Sequence, residues 1–310
     1  MIRNILQLKG IKADLFCLTG TIWVQQNGST ISNCGRKQVP CKELQTGVRN
    51  AKVKVIIMGE IFVPTSAVVN RNLSIEGVNK ATITSPIRGS FTFLMGRKGI
   101  VLKLCHITFK DIRIIRMKND GELHLSHSLA TDCTHTLFDI KNCTNITIFI
   151  FHSSFSNIKF VIRNVFNANI NNQGSMLIMI EKCFFNHTNG ISFKNVHNVT
   201  VLINGSIFKN SVCSVLDIHG RRDLEVGQVK IHNTSFENIG TQECLAGVSI
   251  YIGDMEHVSI TKSNFNQCRA KYGGAVFIEY VKTASVAQCK FVNNSAVKNT
   301  GSIYFLKVYN

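Results

Sequence analysis

The 310 residues are 45% hydrophobic and only 17% charged, a balance that excludes a disordered chain. A net charge of +17 points to acidic partners such as nucleic acid, anionic polysaccharide or anionic lipid, with a merely solvated basic surface as the plain alternative. No run of about 18 apolar residues occurs, which excludes a membrane-spanning helix.

Residues 1–20, MIRNILQLKGIKADLFCLTG, are basic but lack a sustained apolar stretch. They make a poor signal peptide and read as an irregular, truncated or misassigned start. Residues 21–50 form an irregular lead-in to a single domain covering 21–310. Within it Cys34 and Cys41 lie in a polar, glycine-containing stretch and predict a local disulfide. The cysteine total of 11 is odd, so at least one thiol is unpaired within the chain. No CxxC occurs, which leaves zinc-ribbon and thioredoxin readings without support.

From about residue 51 a phrase recurs. It reads LKLCHITFKD around Phe109, IFIFHSSFSN around Phe155, IMIEKCFFNH around Phe185 and VLINGSIFKN around Phe208. It continues as VKIHNTSFEN around Phe236, VSITKSNFNQ around Phe265 and SVAQCKFVN around Phe291, with a weaker copy that places Ala130 in the Phe slot. Five and seven positions before the anchor stand apolar residues, Leu104 and Leu102 in the first copy, Ile231 and Val229 in a later one. Two positions after it stand Asp111, Asp132, Asn157, His187, Asn210, Asn238, Gln267 and Asn293. The alternation predicts a strand with one face inward. A second strand follows the polar segment, as in TLFDI from Thr136, GISFKN from Gly190 and GAVFIE from Gly274.

A unit this small cannot bury its own core and must stack on its neighbours. The prediction is an all-β, right-handed parallel β-helix of roughly ten or more coils, at about 4.8 Å per coil. The Phe anchors would form an internal ladder. The Asn and Asp row would stack its side chains at a bend. Gly274, like Gly247 and Gly301, falls at the start of a second strand and reads as a corner, since the GxGxxG and GxxxxGK[ST] phosphate loops are missing. The missing C-terminal cap reads as a fragment of a longer protein.

FNQCRAKYGGAVFI and FVNNSAVKNTGSIYF resemble the polymorphic outer-membrane protein repeat, FxxN followed by GGAI. The wider pattern resembles pectin-lyase-like right-handed parallel β-helix proteins. The stretch Asn33-Cys34-Gly35 to Pro40-Cys41-Lys42-Glu43-Leu44 is similar to the CG…PCKTL opening of related domains, with Glu43 in place of Thr, and LSIEGVNKATITS from Leu73 is similar to their first regular turns. The resemblance implies a scaffold that hosts both polysaccharide-active enzymes and binding proteins.

Catalytic sets are sparse. There is no Asp-Asp pair, no GHG or RIK element, no HExxH and no GxSxG. The best catalytic candidates, Asp217, His219 and Arg221, share the charged stretch Asp217-Ile218-His219-Gly220-Arg221-Arg222-Asp223, which reads equally as a charged corner between coils. Asp111, Asp132 and Asp139 could fall near one face, although the first two already belong to the bend row. His124 and His127 lack a third metal ligand in sequence, so neither a metal nor a cofactor is expected. Cys183 and Cys289 both stand two before the anchor, where small buried packing explains them. With the Phe residues inside, no exposed aromatic set supports nucleic-acid binding.

Asn-x-Ser/Thr occurs at Asn27, Asn72, Asn142, Asn145, Asn186, Asn198, Asn204, Asn233 and Asn293. Chance would supply roughly four, so the excess favours a glycosylated, extracellular or cell-surface protein. The function expected first is a non-catalytic recognition or adhesion module that binds an acidic glycan or a surface protein. The alternatives are a polysaccharide lyase or glycoside hydrolase, and a structural repeat segment of a large surface protein.

Overall fold

The structure, a computed structural model, describes residues 20–31, 34–85, 91–133, 135–140, 143–165, 174–196, 198–220, 227–241, 249–298 and 301–309. The chain is a parallel β-solenoid built from three ladders of in-register strands. Ladder A includes Ile100–Cys105, Gly121–Ser126, Ile146–Phe151, Ser175–Glu181, Asn198–Asn204 and Gly227–His232. Ladder B holds the anchors, in Thr108–Lys110, Leu129–Thr131, Ser154–Ile158, Phe184–Thr188, Ile207–Lys209, Ser235–Glu237, Asn264–Asn266 and Lys290–Val292. Ladder C includes Arg113–Met117, Thr136–Ile140, Phe160–Val165, Ile191–Val196, Leu216–Gly220 and Ile303–Val308, with the long strands Ile250–Thr261 and Val276–Ala287 running from ladder C into ladder A.

The regular part has about eight turns, one for each copy of the phrase, which corrects the roughly ten or more coils expected from the sequence. Before them the stack continues through longer strands, Thr21–Ser29, Lys54–Phe62 and Leu73–Thr84, which take up chain without adding copies of the phrase. The lead-in is closed by the Cys34–Cys41 disulfide and by a short helix, Leu44–Asn50, which buries Leu44 and Val48. Residues 1–19 lie outside the described residues.

The phrase forms two strands where one was expected. It breaks three residues before the anchor, at His106, His127, His152, Lys182, Gly205, Asn233, Lys262 and Gln288, all with φ between 47° and 59°. A β-branched or aromatic residue is disfavoured in that left-handed conformation, and none of these residues is one apart from histidine, which tolerates it. The second corner is the predicted polar row, from Asp111 to Asn293, with φ between 51° and 56°. There the side chains do form a ladder. Asn157 Nδ2 donates to Asp132 Oδ1 at 2.9 Å and Asn238 Nδ2 to Asn210 Oδ1 at 2.8 Å, while Asn210 Nδ2 bonds Oδ1 of Asn186, one residue before His187 of the row, at 2.9 Å.

Inside, Phe155, Phe185, Phe208, Phe236, Phe265 and Phe291 stack face to face with centroids 4.4–5.1 Å apart. Each ring lies one coil above the last, so the spacing of the strands sets the stack. Beside them runs a buried hydroxyl row. Ser128, Ser153, Ser206, Thr234 and Ser263 each donate to the carbonyl two residues earlier, at 2.8–3.2 Å. Cys183 and Cys289 fill the same slot and donate Sγ–H to Glu181 and Ala287 in the same way. These cysteines therefore complete a polar row as well as packing. Burial pushes the Cys183 thiol up to about 12 and Cys133 to about 11, which leaves both unreactive at neutral pH.

Gly274 is a corner residue. A Cβ there would sit 2.3 Å from Gly301 O and 2.4 Å from Ser295 O, both backbone atoms of the next coil. Gly301 is its neighbour by register, because Val276 pairs with Ile303. Gly247 lies outside the described residues.

Asp120 anchors one turn between ladders C and A. Its Oδ1 accepts from the backbone N–H of Thr144 and of Asn145 at 2.6 and 2.9 Å, and its Oδ2 from Thr144 Oγ1 at 2.7 Å. Burial would raise this carboxyl, but the bonds from Asn145 and Thr144, with Lys98 beside it, outweigh burial and hold it down to about 2. A depressed folded-state value means the contribution is complete above the unfolded value of about 4 and fades as pH falls through the folded value of about 2. Asp120→Asn is expected to lose that contribution at pH 7 and to flatten the acid limb between these values. Urea midpoints taken across the window check it, and parallel pH profiles for both proteins would refute the assignment.

Candidate functional site

The outward face of ladder C carries Asp217 and His219, two of the three best catalytic candidates in the sequence. In a strand, alternate side chains point in and out. Phe193, Ile218, Ile252 and Ile278 point inward and are buried, so the residues beside them point out. Register then lines up one outward row, Arg116, Asp139, Arg163, Ser192, Asp217, Tyr251, Phe277 and Tyr304, each on its own coil.

Asp217 and His219 meet as the sequence suggested, two apart on one strand face. His219 Nε2 lies 3.0 Å from Asp217 Oδ1. The previous coil adds Ser192, whose Oγ donates to Asp217 Oδ2 at 3.4 Å, and Lys194, whose Nζ lies 3.7 Å away. The following coil sets Tyr251 at right angles to the His219 ring, with centroids 4.2 Å apart. Tyr251 in turn donates its hydroxyl to Glu279 Oε1 at 2.5 Å. Gly253 sits opposite His219, where a Cβ would lie 2.8 Å from Nδ1, so glycine keeps that ring in place. Arg221, Arg222 and Asp223 lie outside the described residues.

Burial pushes the Asp217 carboxyl up, yet His219, Lys194 and Ser192 together outweigh it and hold Asp217 below the ordinary carboxylate range. Tyr251 moves the other way, raised by burial and by the carboxylate of Glu279. The direction at Asp217 matters chemically. A glycosidase acid needs a raised carboxyl to carry a proton at neutral pH. Ser192 bonds the carboxylate and not the imidazole, the reverse of a nucleophile activated by a base.

Asp111, Asp132 and Asp139 do not gather into a cation site. Asp111 and Asp132 stand at the corner after ladder B, and Asp139 on ladder C pairs with Arg116 Nε at 3.3 Å. His124 and His127 also separate. His124 faces outward from ladder A against Glu122 and Phe149, while His127 turns the corner. Among the described residues, one group of His, Cys and acidic side chains has donor atoms close enough for a shared ion: Cys105, His106 and His127.

Sequence reasoning missed Ser192, Lys194 and Tyr251 as partners of Asp217 and His219, and Glu279 as the partner of Tyr251. They come from coils separated by loops of unequal length, so no fixed spacing marks them. Among the described residues, no helix is long and apolar enough to cross a membrane. No family model, no curated protein and no solved structure matches the chain, so its fold and the geometry of its outward faces stand as the ground for a functional reading.

Proposed function

We propose that the chain is a non-catalytic recognition module of the extracellular or cell-surface kind, and that its outward ladder C face binds an acidic glycan. One observation carries this reading. The carboxylates of that face are engaged by their own coil neighbours, Asp139 by Arg116 and Asp217 by His219 and Lys194, while Arg163 and Lys194 stay exposed on it. A face that offers guanidinium, ammonium, imidazole and tyrosine groups on successive coils suits carboxylated or sulfated sugars. The net charge of +17 adds long-range attraction for such a ligand. The acceptor asparagines Asn27, Asn72, Asn145, Asn198, Asn204, Asn233 and Asn293 are exposed, which supports a glycosylated protein. Asn186 is half-buried in the amide ladder, and Asn142 lies outside the described residues. The pectin-lyase-like likeness of the motifs supports the same ligand class without supplying a reaction.

Binding to an array of acidic glycans, run beside an assay for new reducing ends or unsaturated products, tests this. Salt-sensitive binding without turnover is expected, weakened about tenfold or more when Arg163 and Lys194 are both replaced by alanine. Products that vanish with His219→Asn would replace this reading with a polysaccharide lyase or hydrolase. Neither binding nor products would leave the structural repeat.

A further inference from the structure

We propose that Cys105, His106 and His127 form a binding site for one borderline transition-metal ion of the zinc(II) or cobalt(II) class, with His152 as the outer member of the imidazole stack. The fold brings these residues together from coils more than twenty positions apart. His106, His127 and His152 occupy the first corner on three successive turns, with φ of 57°, 48° and 47°. The corner holds their backbones alike, so the rings stack with centroids 5.0 and 5.1 Å apart. Cys105 precedes the corner on an outward position of ladder A and is only partly covered.

The donor atoms of Cys105, His106 and His127 lie within 4.8 Å of one another. A tetrahedral ion with bonds of about 2.0–2.3 Å holds its ligand atoms roughly 3.5 Å apart, so side-chain rotations of about 1 Å close the set. The first ring pair is tilted by 28°, whereas the second is nearly parallel at 9°. A tilt lets the nitrogens of two rings converge while the ring bodies stay one coil apart. Thiolate plus imidazole is a donor set that suits zinc and its neighbours over calcium or magnesium. His106, His127 and His152 line an open groove together with Asn79, Lys80 and Thr108, which gives water or an external ligand access to the imidazole side of the set.

The corner itself does not require histidine. The same position on later turns is filled by Lys182, Gly205, Asn233, Lys262 and Gln288 with the same backbone. What the fold demands there is tolerance of left-handed φ. Three successive imidazoles with a thiol beside the first exceed that demand, and they occur where the groove lies.

The test is a titration of the purified, reduced full chain, produced in a host that does not attach N-glycans, with cobalt(II), followed by absorption and then by zinc(II) displacement. One equivalent is expected to bind, with a thiolate-to-cobalt charge-transfer band that zinc abolishes. Cys105→Ser is expected to remove that band, and His127→Asn to remove binding. Asparagine is chosen because Asn233 already holds this corner, and circular dichroism checks that the solenoid persists. His152→Asn is expected to weaken binding about 10–100-fold, as for residues that orient a ligand. His257→Asn, on ladder A away from the groove, should change nothing. A band that persists in Cys105→Ser, binding that survives His106→Asn with His127→Asn, or no saturable one-equivalent binding by the natural chain would each overturn the site.

Discussion

Phe236→Ala is expected to lower unfolding stability by about 3–5 kcal/mol, the range for emptying a buried aromatic site. The ring is fully buried and stacked on both faces, 5.1 Å from Phe208 and 4.8 Å from Phe265. The strands on either side are hydrogen-bonded in register, so the walls of the resulting void are held apart at coil spacing and collapse little. Phe291 is stacked on Phe265 alone and is only partly buried, so Phe291→Ala should cost clearly less. Urea denaturation followed by far-ultraviolet circular dichroism measures both. A repeat protein can open turn by turn, so hydrogen exchange in the strands beside each site should accompany it. Equal losses at the two positions would show that the stack is not what stabilises the interior. The chain already contains one natural truncation, Ala130, buried between Phe109 and Phe155 in the same row.

Gly190→Ala should be the more damaging of two changes that look alike in sequence. Gly190 and Gly205 have nearly the same backbone, φ of 64° and 59°. Alanine in that conformation costs about 1–2 kcal/mol at either site. Their surroundings differ. A Cβ on Gly190 would lie 2.1 Å from Val215 O, the acceptor for the Ile191 N–H in the next coil's ladder. A Cβ on Gly205 would meet only the Lys182 side chain, at 3.5 Å. Gly190→Ala therefore adds overpacking against a carbonyl that cannot move without breaking a ladder bond, about 1–3 kcal/mol more. Thermal and urea midpoints of the two variants give the comparison. Similar losses would mean that φ alone sets the cost and that the coil-to-coil clash relaxes freely.

Much of the architecture was legible in the chain. Leu102, Leu104 and Phe109 are buried as the first phrase predicts, and so are Val229, Ile231 and Phe236 in a later one. The amide row from Asn157 to Asn238 was also legible, because asparagine recurs where a left-handed bend needs it. The first corner was missed, although its signal was present: His106, Lys182, Asn233 and Gln288 share one slot that never holds an aliphatic residue. They look unrelated as chemistry and are alike only in the φ they tolerate. The Asp217 and His219 pair was legible as two neighbours on a strand, but the partners that set its charge were not.

The sequence by itself determined the strand period, the repeat and the inward row, because these are spacings along one covalent chain. It also determined the Cys34–Cys41 closure, across a loop too short to leave much choice. Only the tertiary structure decided which side chains from different coils meet. Anchors are separated by 21 to 30 residues, and the variable part lies in loops whose length does not alter the ladder register. Ser192 on Asp217, Tyr251 on His219 and His127 on His106 all depend on that register. Hydrogen bonding between strands enforces it, through backbone groups that every residue carries and that leave no mark in the identity of the side chains.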